Sequence, residues 1–215
     1  MRSIFHANLV QVILDVLQET MRIEERIEYD IEPQLHAAIT KLREECFPED
    51  HKPRSYYKQL PHFRFLAYED ETLAGHMGVD HRVVSVGESV FSTFGVIDLC
   101  VREKYQGRGI GSALLGRILQ LAKDKGIDFV ILVSGEHRFY KKYGFTVINP
   151  EFRWLRIYEH ETVGIGNMRL DVPMLVKQIG KTPWPQEPVD LLGYLFWKKA
   201  EPWVAPDVFA SLKHK

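Results

Sequence analysis

The sequence predicts a mixed α/β (α+β) domain, with one mostly antiparallel sheet flanked by helices. Three observations carry the prediction. The hydrophobic period switches between two and about 3.6, in the order strand, helix, three strands, helix, strand, helix, two strands. Phe129-Val130-Ile131-Leu132-Val133 is apolar throughout, as a central strand buried on both faces must be. The composition, 45% hydrophobic and 27% charged over 215 residues, matches an ordinary folded domain and supplies one core.

The same figures exclude several classes. A formal net charge of -1 gives no electrostatic reason to expect nucleic acid or a membrane surface as partner. Two cysteines, Cys46 and Cys100, are too few for a disulfide scaffold and point to a reducing, cytoplasmic setting. The nine histidines include no H-E-x-x-H and no Cys/His cluster. His76 and His81 share a strand at odd spacing and so face opposite sides. No metal is expected.

Residues 1–20 read as an amphipathic helical extension. Gln11, Asp15, Gln18 and Glu19 recur at helical spacing, the other face is apolar, and no cleavage site follows. Packing on the domain and a contact within a homodimer are both open uses of that face. The domain itself is expected over 21–178. It begins with a strand in which Ile23, Glu25, Ile27 and Tyr29 alternate with Arg22, Glu24, Arg26 and Glu28. Pro33 opens a helix with the stripe Leu35, Ile39, Leu42 and Cys46, and Pro48 closes it. Residues 48–62 carry three prolines and read as a loop.

Phe63, Phe65 and Ala67 alternate before the turn Glu69-Asp70-Glu71, and strands at 73–86 and 90–101 flank the hairpin turn Gly87-Glu88-Ser89. A helix over 109–125 ends at Gly126, with Leu114, Ile118, Leu121 and Ala122 inward. A short helix at 137–143 and strands at about 145–158 and 168–177 follow. Residues 179–215, with Trp184, Trp197, Trp203 and five prolines, read as an irregular strap packed on the domain.

The chemistry is concentrated after the strand ending at Val101. There Gln106-Gly107-Arg108-Gly109-Ile110-Gly111-Ser112 joins a strand directly to a helix. Alternate glycines let the backbone bend sharply and aim bare N–H groups at one point, and the positive end of the helix dipole points the same way. That combination suits phosphate, and Arg108 can add charge-assisted hydrogen bonds. A dinucleotide fingerprint needs different spacing early in a βαβ unit, and the Walker lysine is absent.

This turn resembles the central Q/R-x-x-G-x-G/A motif of the GCN5-related N-acetyltransferase (GNAT) superfamily. Downstream, Phe139-Tyr140-Lys141-Lys142-Tyr143-Gly144-Phe145 resembles that superfamily's aromatic-Tyr-x-x-x-Gly-Phe signature, and the likeness covers about residues 22–178. Arg54-Ser55-Tyr56, the run from His62 to Gly87-Glu88, and Trp184-Pro185 resemble the nodulation N-acyltransferases, with the aminoglycoside 2'-N-acetyltransferases as more distant relatives.

The resemblance implies acetyl-CoA held in a V between splayed strands at 90–101 and 128–134, with direct transfer of the acetyl group to a primary amine. Pantetheine would pair with backbone at Leu99 and Val101, and Gln106, Gly107, Arg108, Gly109, Ile110, Gly111 and Ser112 would bind the pyrophosphate. Tyr140 is the implied general acid for the thiolate, or else a core tyrosine. Asp98 is the leading base, or else an ion-paired structural residue, with Glu88, Asp80 and His81 behind it. Deprotonation through water, with no single base, also stays open. Tyr56 and Trp184 are the expected acceptor-binding residues, for a small polar amine or amino sugar. A non-catalytic acyl-CoA sensor of the same fold is the alternative. Cys100 reads as a buried strand cysteine rather than a nucleophile.

Overall fold

The structure, a computed structural model, describes residues 21–49 and 52–195. The extension at 1–20 and the end of the strap, with Trp197 and Trp203, lie outside the described residues.

A long hairpin organises the sheet. β3 (Thr72–Val86) and β4 (Ser89–Val101) pair antiparallel through the turn at Gly87, whose φ of +57° favours glycine. Before them come β1 (Met21–Ile27), α1 (Pro33–Cys46) and β2 (Phe63–Glu69). After them come α2 (Ile110–Asp124), β5 (Phe129–Val133), α3 (His137–Lys141), β6 (Thr146–Ile148), β7 (Glu151–Tyr158), β8 (Glu161–Arg169), β9 (Met174–Gln178) and β10 (Val189–Tyr194). The strand order is β6-β9-β5-β4-β3-β10-β7-β8, with β2 and β1 beside the first half of β3. β3 is therefore a fork: its first half pairs with β2 and its end with β10.

Side-chain alternation sorts the core into layers. Ile110, Leu114, Leu115 and Ile118 of α2 pack with Phe65, Met77, Val96 and Val130. On the opposite face, Ile39 and Leu42 of α1 cover Leu66, Leu73 and Cys100. Farther along that face, Phe152, Trp154 and Leu191 of β7 and β10 curl over Phe91, Ile97 and Ile131.

Two expectations are corrected. The strands at 145–158 and 168–177 resolve into four. Pro150 and Pro173, which cannot donate to a ladder, interrupt them, and Glu159-His160 turns β7 into β8 with φ of +44° and +70°. The strap is not irregular throughout: residues 189–194 form β10, with Val189 and Leu191 buried between β3 and β7. Prolines 183, 185 and 188 hide it in the sequence, and Leu192, at φ +47°, breaks its alternation.

β4 and β5 run parallel and pair at Thr93↔Phe129, Phe94↔Val130 and Gly95↔Ile131, beyond which they part. Where they part, β4 bulges: the register steps from Gly78↔Ile97 to His76↔Cys100, which gives β4 an extra residue, and Asp98 takes φ +50°. The expected splayed pair is thus present.

Candidate active site

The parting strands open a cleft of about 960 Å³. It runs from the glycine turn past Leu99 and Val101 to Phe139 and Tyr140, with Cys46 and Phe47 at the end of α1 on its wall. Gln106, Gly107, Gly109, Ile110, Gly111 and Ser112 of the glycine turn all line it.

The turn presents a glycine backbone and a helix start to the cleft. Gly107 and Gly109 have φ of +75° and +87°, a region costly for any residue with a Cβ. Gly109 caps α2 with no side chain to occupy the first-turn N–H groups, and Ile110, Gly111 and Ser112 of that positive helix end line the cleft. The side-chain amide of Gln106 donates to the Val101 carbonyl at 3.0 Å and ties the turn to the end of β4. Arg108 departs from expectation: it is not among the lining residues, and its guanidinium lies over the Tyr105 ring at 5.4 Å.

Tyr140 is 7% exposed and lines the cleft between the rings of Phe139 and Phe145. Burial pushes its phenol up to about 12, against a smaller opposing effect of the Ser134 hydrogen bond, and nearby Glu136 adds to the rise. Tyr140 therefore stays protonated at any physiological pH.

Asp98 is not brought into the cleft as a free carboxylate. Its Oδ2 accepts from Nε of the buried Arg43 at 2.7 Å, and Arg43 also donates to the Arg54 carbonyl. The weaker base candidates are also placed elsewhere. Asp80, 2% exposed, accepts from Tyr194 at 2.6 Å and pairs with Arg82. His81 stacks edge-on against Phe94, and Glu88 sits in the β3–β4 turn at the far end of the hairpin.

The two acceptor candidates separate. Tyr56 stays with the surface loop after α1, its hydroxyl 3.2 Å from His160 Nε2 in the β7–β8 turn, and Lys52 pairs with Glu159 beside it. Trp184 is corrected to a packing residue: it stacks on Phe91 at 6.2 Å and meets Phe129 edge-on at 4.9 Å. Phe91 lies near the start of β4 and the cleft near its end, so Trp184 is remote from the site.

Sequence reasoning overlooked a buried polar chain behind the bulge. Glu28 holds Arg64 with two hydrogen bonds, at 2.6 and 2.8 Å, and Arg64 Nη1 reaches His76 Nε2 at 2.9 Å. His76 Nδ1 is 3.2 Å from the Asp98 carbonyl. It also overlooked Cys46, which faces Cys100 across the cleft wall. The Cys100 thiol donates to Cys46 and draws its pKa down, while the same contact and burial push Cys100 well up. Nothing local in the sequence marks either feature, since each joins residues far apart in the chain. Among the described residues no group of three or more His, Cys, Asp or Glu side chains is placed to hold a metal ion, and no helix is long and apolar enough to cross a membrane.

Two strands that part beside a glycine turn opening a helix match the splayed pair that the acyltransferase resemblance implies; the bulge in β4 is an addition of the structure. The chain matches the model of the acetyltransferase (GNAT) family over residues 36–145, just over half its length, and belongs to that family. No curated protein matches the chain significantly by sequence. Solved structures share the fold. A GNAT family N-acetyltransferase of Escherichia coli in complex with CoA aligns at TM-score 0.54 and 18% identity, over 80% of this chain and 90% of that one. An acyl-CoA N-acyltransferase of Pseudomonas aeruginosa aligns at 0.51 and 16%, over 73% and 99%. A GCN5-related N-acetyltransferase of Anabaena variabilis aligns at 0.51 and 19%, over 59% of this chain and 32% of that one. The chain thus spans about a third of the Anabaena protein's length, and the same share of a probable N-acyltransferase of Enterococcus faecalis.

Proposed function

We propose that this chain is an N-acetyltransferase that passes the acetyl group of acetyl-CoA directly to a primary amine, here a small polar amine or amino sugar. The observation that carries the proposal is the bulge at Asp98. A trans peptide points its C=O and N–H in opposite directions. The Asp98 carbonyl is held toward β3 by His76, so the Leu99 N–H faces away from β3, into the gap where β4 and β5 part. A donor fixed there before reaction suits the oxyanion of a tetrahedral intermediate. The first turn of α2 holds the pyrophosphate on its free N–H groups.

Tyr140 serves the leaving group as a hydrogen-bond donor. With its phenol pushed up to about 12, full proton transfer to a thiolate of pKa near ~8.5 is uphill by roughly 3.5 pKa units, so stabilisation in place is its main contribution. Asp98 is engaged with Arg43, which favours loss of the amine's proton through water rather than to one carboxylate. The loop around Tyr56 and the Glu159-His160 turn form the acceptor's wall, a reading supported by the likeness of Arg54-Ser55-Tyr56 to the sugar-modifying branch.

Thiol release from acetyl-CoA, measured against glucosamine, an aminoglycoside, a polyamine and a lysine peptide, tests this reading. Release with the small amines, and a Tyr140→Phe variant with kcat about 10²-fold lower but unchanged CoA affinity, is the expected result. Saturable CoA binding without turnover on any amine would instead mark a sensor. Turnover on peptide alone would overturn the acceptor assignment.

A further inference from the structure

We propose that His76 is a positioning residue for acyl transfer: its Nδ1–H, donated to the Asp98 carbonyl, fixes the peptide whose other side presents the Leu99 N–H to the oxyanion. The inference rests on the acyltransferase reading above and adds to it a residue outside the cleft.

The tautomer follows from the neighbours. Arg64 Nη1 lies 2.9 Å from Nε2, and a guanidinium only donates, so Nε2 must accept. The single proton of a neutral ring is then on Nδ1, facing the Asp98 oxygen at 3.2 Å. Arg64 cannot readily turn away. It is 1% exposed, held by both oxygens of Glu28, and donates from Nη1 to the Ser55 carbonyl at 2.7 Å. His76 is also 1% exposed, and burial beside Arg64 and Arg43 keeps it neutral, well below the usual histidine range.

The bulge needs such a restraint. A non-glycine residue at φ +50° is strained and persists only when its surroundings over-determine it. Asp98 is held at two points on one residue, its carboxylate by Arg43 and its carbonyl by His76. Packing alone does not ask for a fully hydrogen-bonded imidazole at a buried strand position, where an apolar side chain avoids the desolvation cost. His76 does not line the cleft, so its influence on the reacting atoms passes through the peptide.

Two substitutions separate the ring's two hydrogen bonds. The amide nitrogen of asparagine falls near the position of Nδ1, so His76→Asn keeps a donor for the Asp98 carbonyl and gives up the Arg64 contact. Glutamine reaches to the position of Nε2, so His76→Gln keeps an acceptor for Arg64 and gives up the donation. Expected is a roughly ten-fold fall in kcat for His76→Gln, below the 10²–10³ cost of removing an oxyanion donor outright. His76→Asn should stay within about three-fold of wild type, and CoA affinity should stay within about two-fold in both. In CoA-bound protein the Leu99 amide resonance should move in His76→Gln and hold in His76→Asn. This second readout needs no turnover, so it still decides the positioning role if no amine is acetylated. Equal loss of kcat in both variants, unchanged kcat in His76→Gln, or a Leu99 resonance indifferent to the substitution would overturn the proposal. Should either variant fail to fold, the Leu99 resonance of the other decides, by moving in His76→Gln or holding in His76→Asn.

Discussion

Gly109 and Gly111 both line the cleft, and the structure predicts opposite consequences for substituting them. Gly109 sits at φ +87°, where alanine is strained by about 1–2 kcal/mol. Nothing lies within 4 Å of an added Cβ, so the unliganded protein suffers only that strain, while the methyl adds bulk at a residue that lines the cleft and, on the proposed reading, crowds the phosphate. Losing one hydrogen bond to a charged phosphate costs about 1.5–3 kcal/mol, or roughly 10- to 150-fold in Kd.

Gly111 is helical, without a positive φ, and its added Cβ would meet Phe139 at 3.7 Å and Val101 at 3.9 Å, ordinary contacts. Alanine there gains up to about 1 kcal/mol of helix propensity. Gly109→Ala should therefore melt about 2–4 °C or more below wild type and bind CoA at least ten-fold more weakly. Gly111→Ala should melt at or above wild type and bind CoA within about three-fold. Thermal melts with isothermal titration of CoA read both quantities. A Gly109→Ala protein that binds CoA normally, or a Gly111→Ala protein as impaired as Gly109→Ala, would refute the assignment of the turn.

The remaining predictions concern residues whose roles the structure moved or revealed. Trp184→Ala should cost about 2–3 kcal/mol in denaturant melts, less than a fully buried tryptophan, with acceptor KM unchanged, because its ring packs on Phe91 and Phe129. Tyr56→Ala should do the reverse, and a raised acceptor KM in Trp184→Ala at full stability would return that residue to the site. Iodoacetamide should label Cys46 with a pH profile shifted below that of an ordinary thiol, leave buried Cys100 unmodified, and be slowed by saturating CoA. Labelling indifferent to CoA, followed by mass spectrometry, would remove Cys46 from the cleft wall.

What the sequence determined by itself was whatever depends on near neighbours. Alternation in 21–27 and 63–69, the uninterrupted run 129–133 and the stripe of α2 are set by which side chains share a face a few residues apart. The glycine turn was legible for the same reason, since the left-handed backbone at Gly107 and Gly109 is a local demand that only glycine meets easily. Tertiary structure alone decided the fate of the polar residues. Asp98 looked like a base until Arg43, 55 positions away, took its carboxylate, and His76 became a buried donor only because β2 brings Arg64 to its other nitrogen. Trp184 left the acceptor site because the fold delivers it to Phe91 and Phe129 at the far end of β4, and β10 became a strand because β3 and β7 left a gap between them. A side chain's period records which face it occupies, whereas its chemistry depends on which distant partner reaches it first, and that is fixed only when the chain closes on itself.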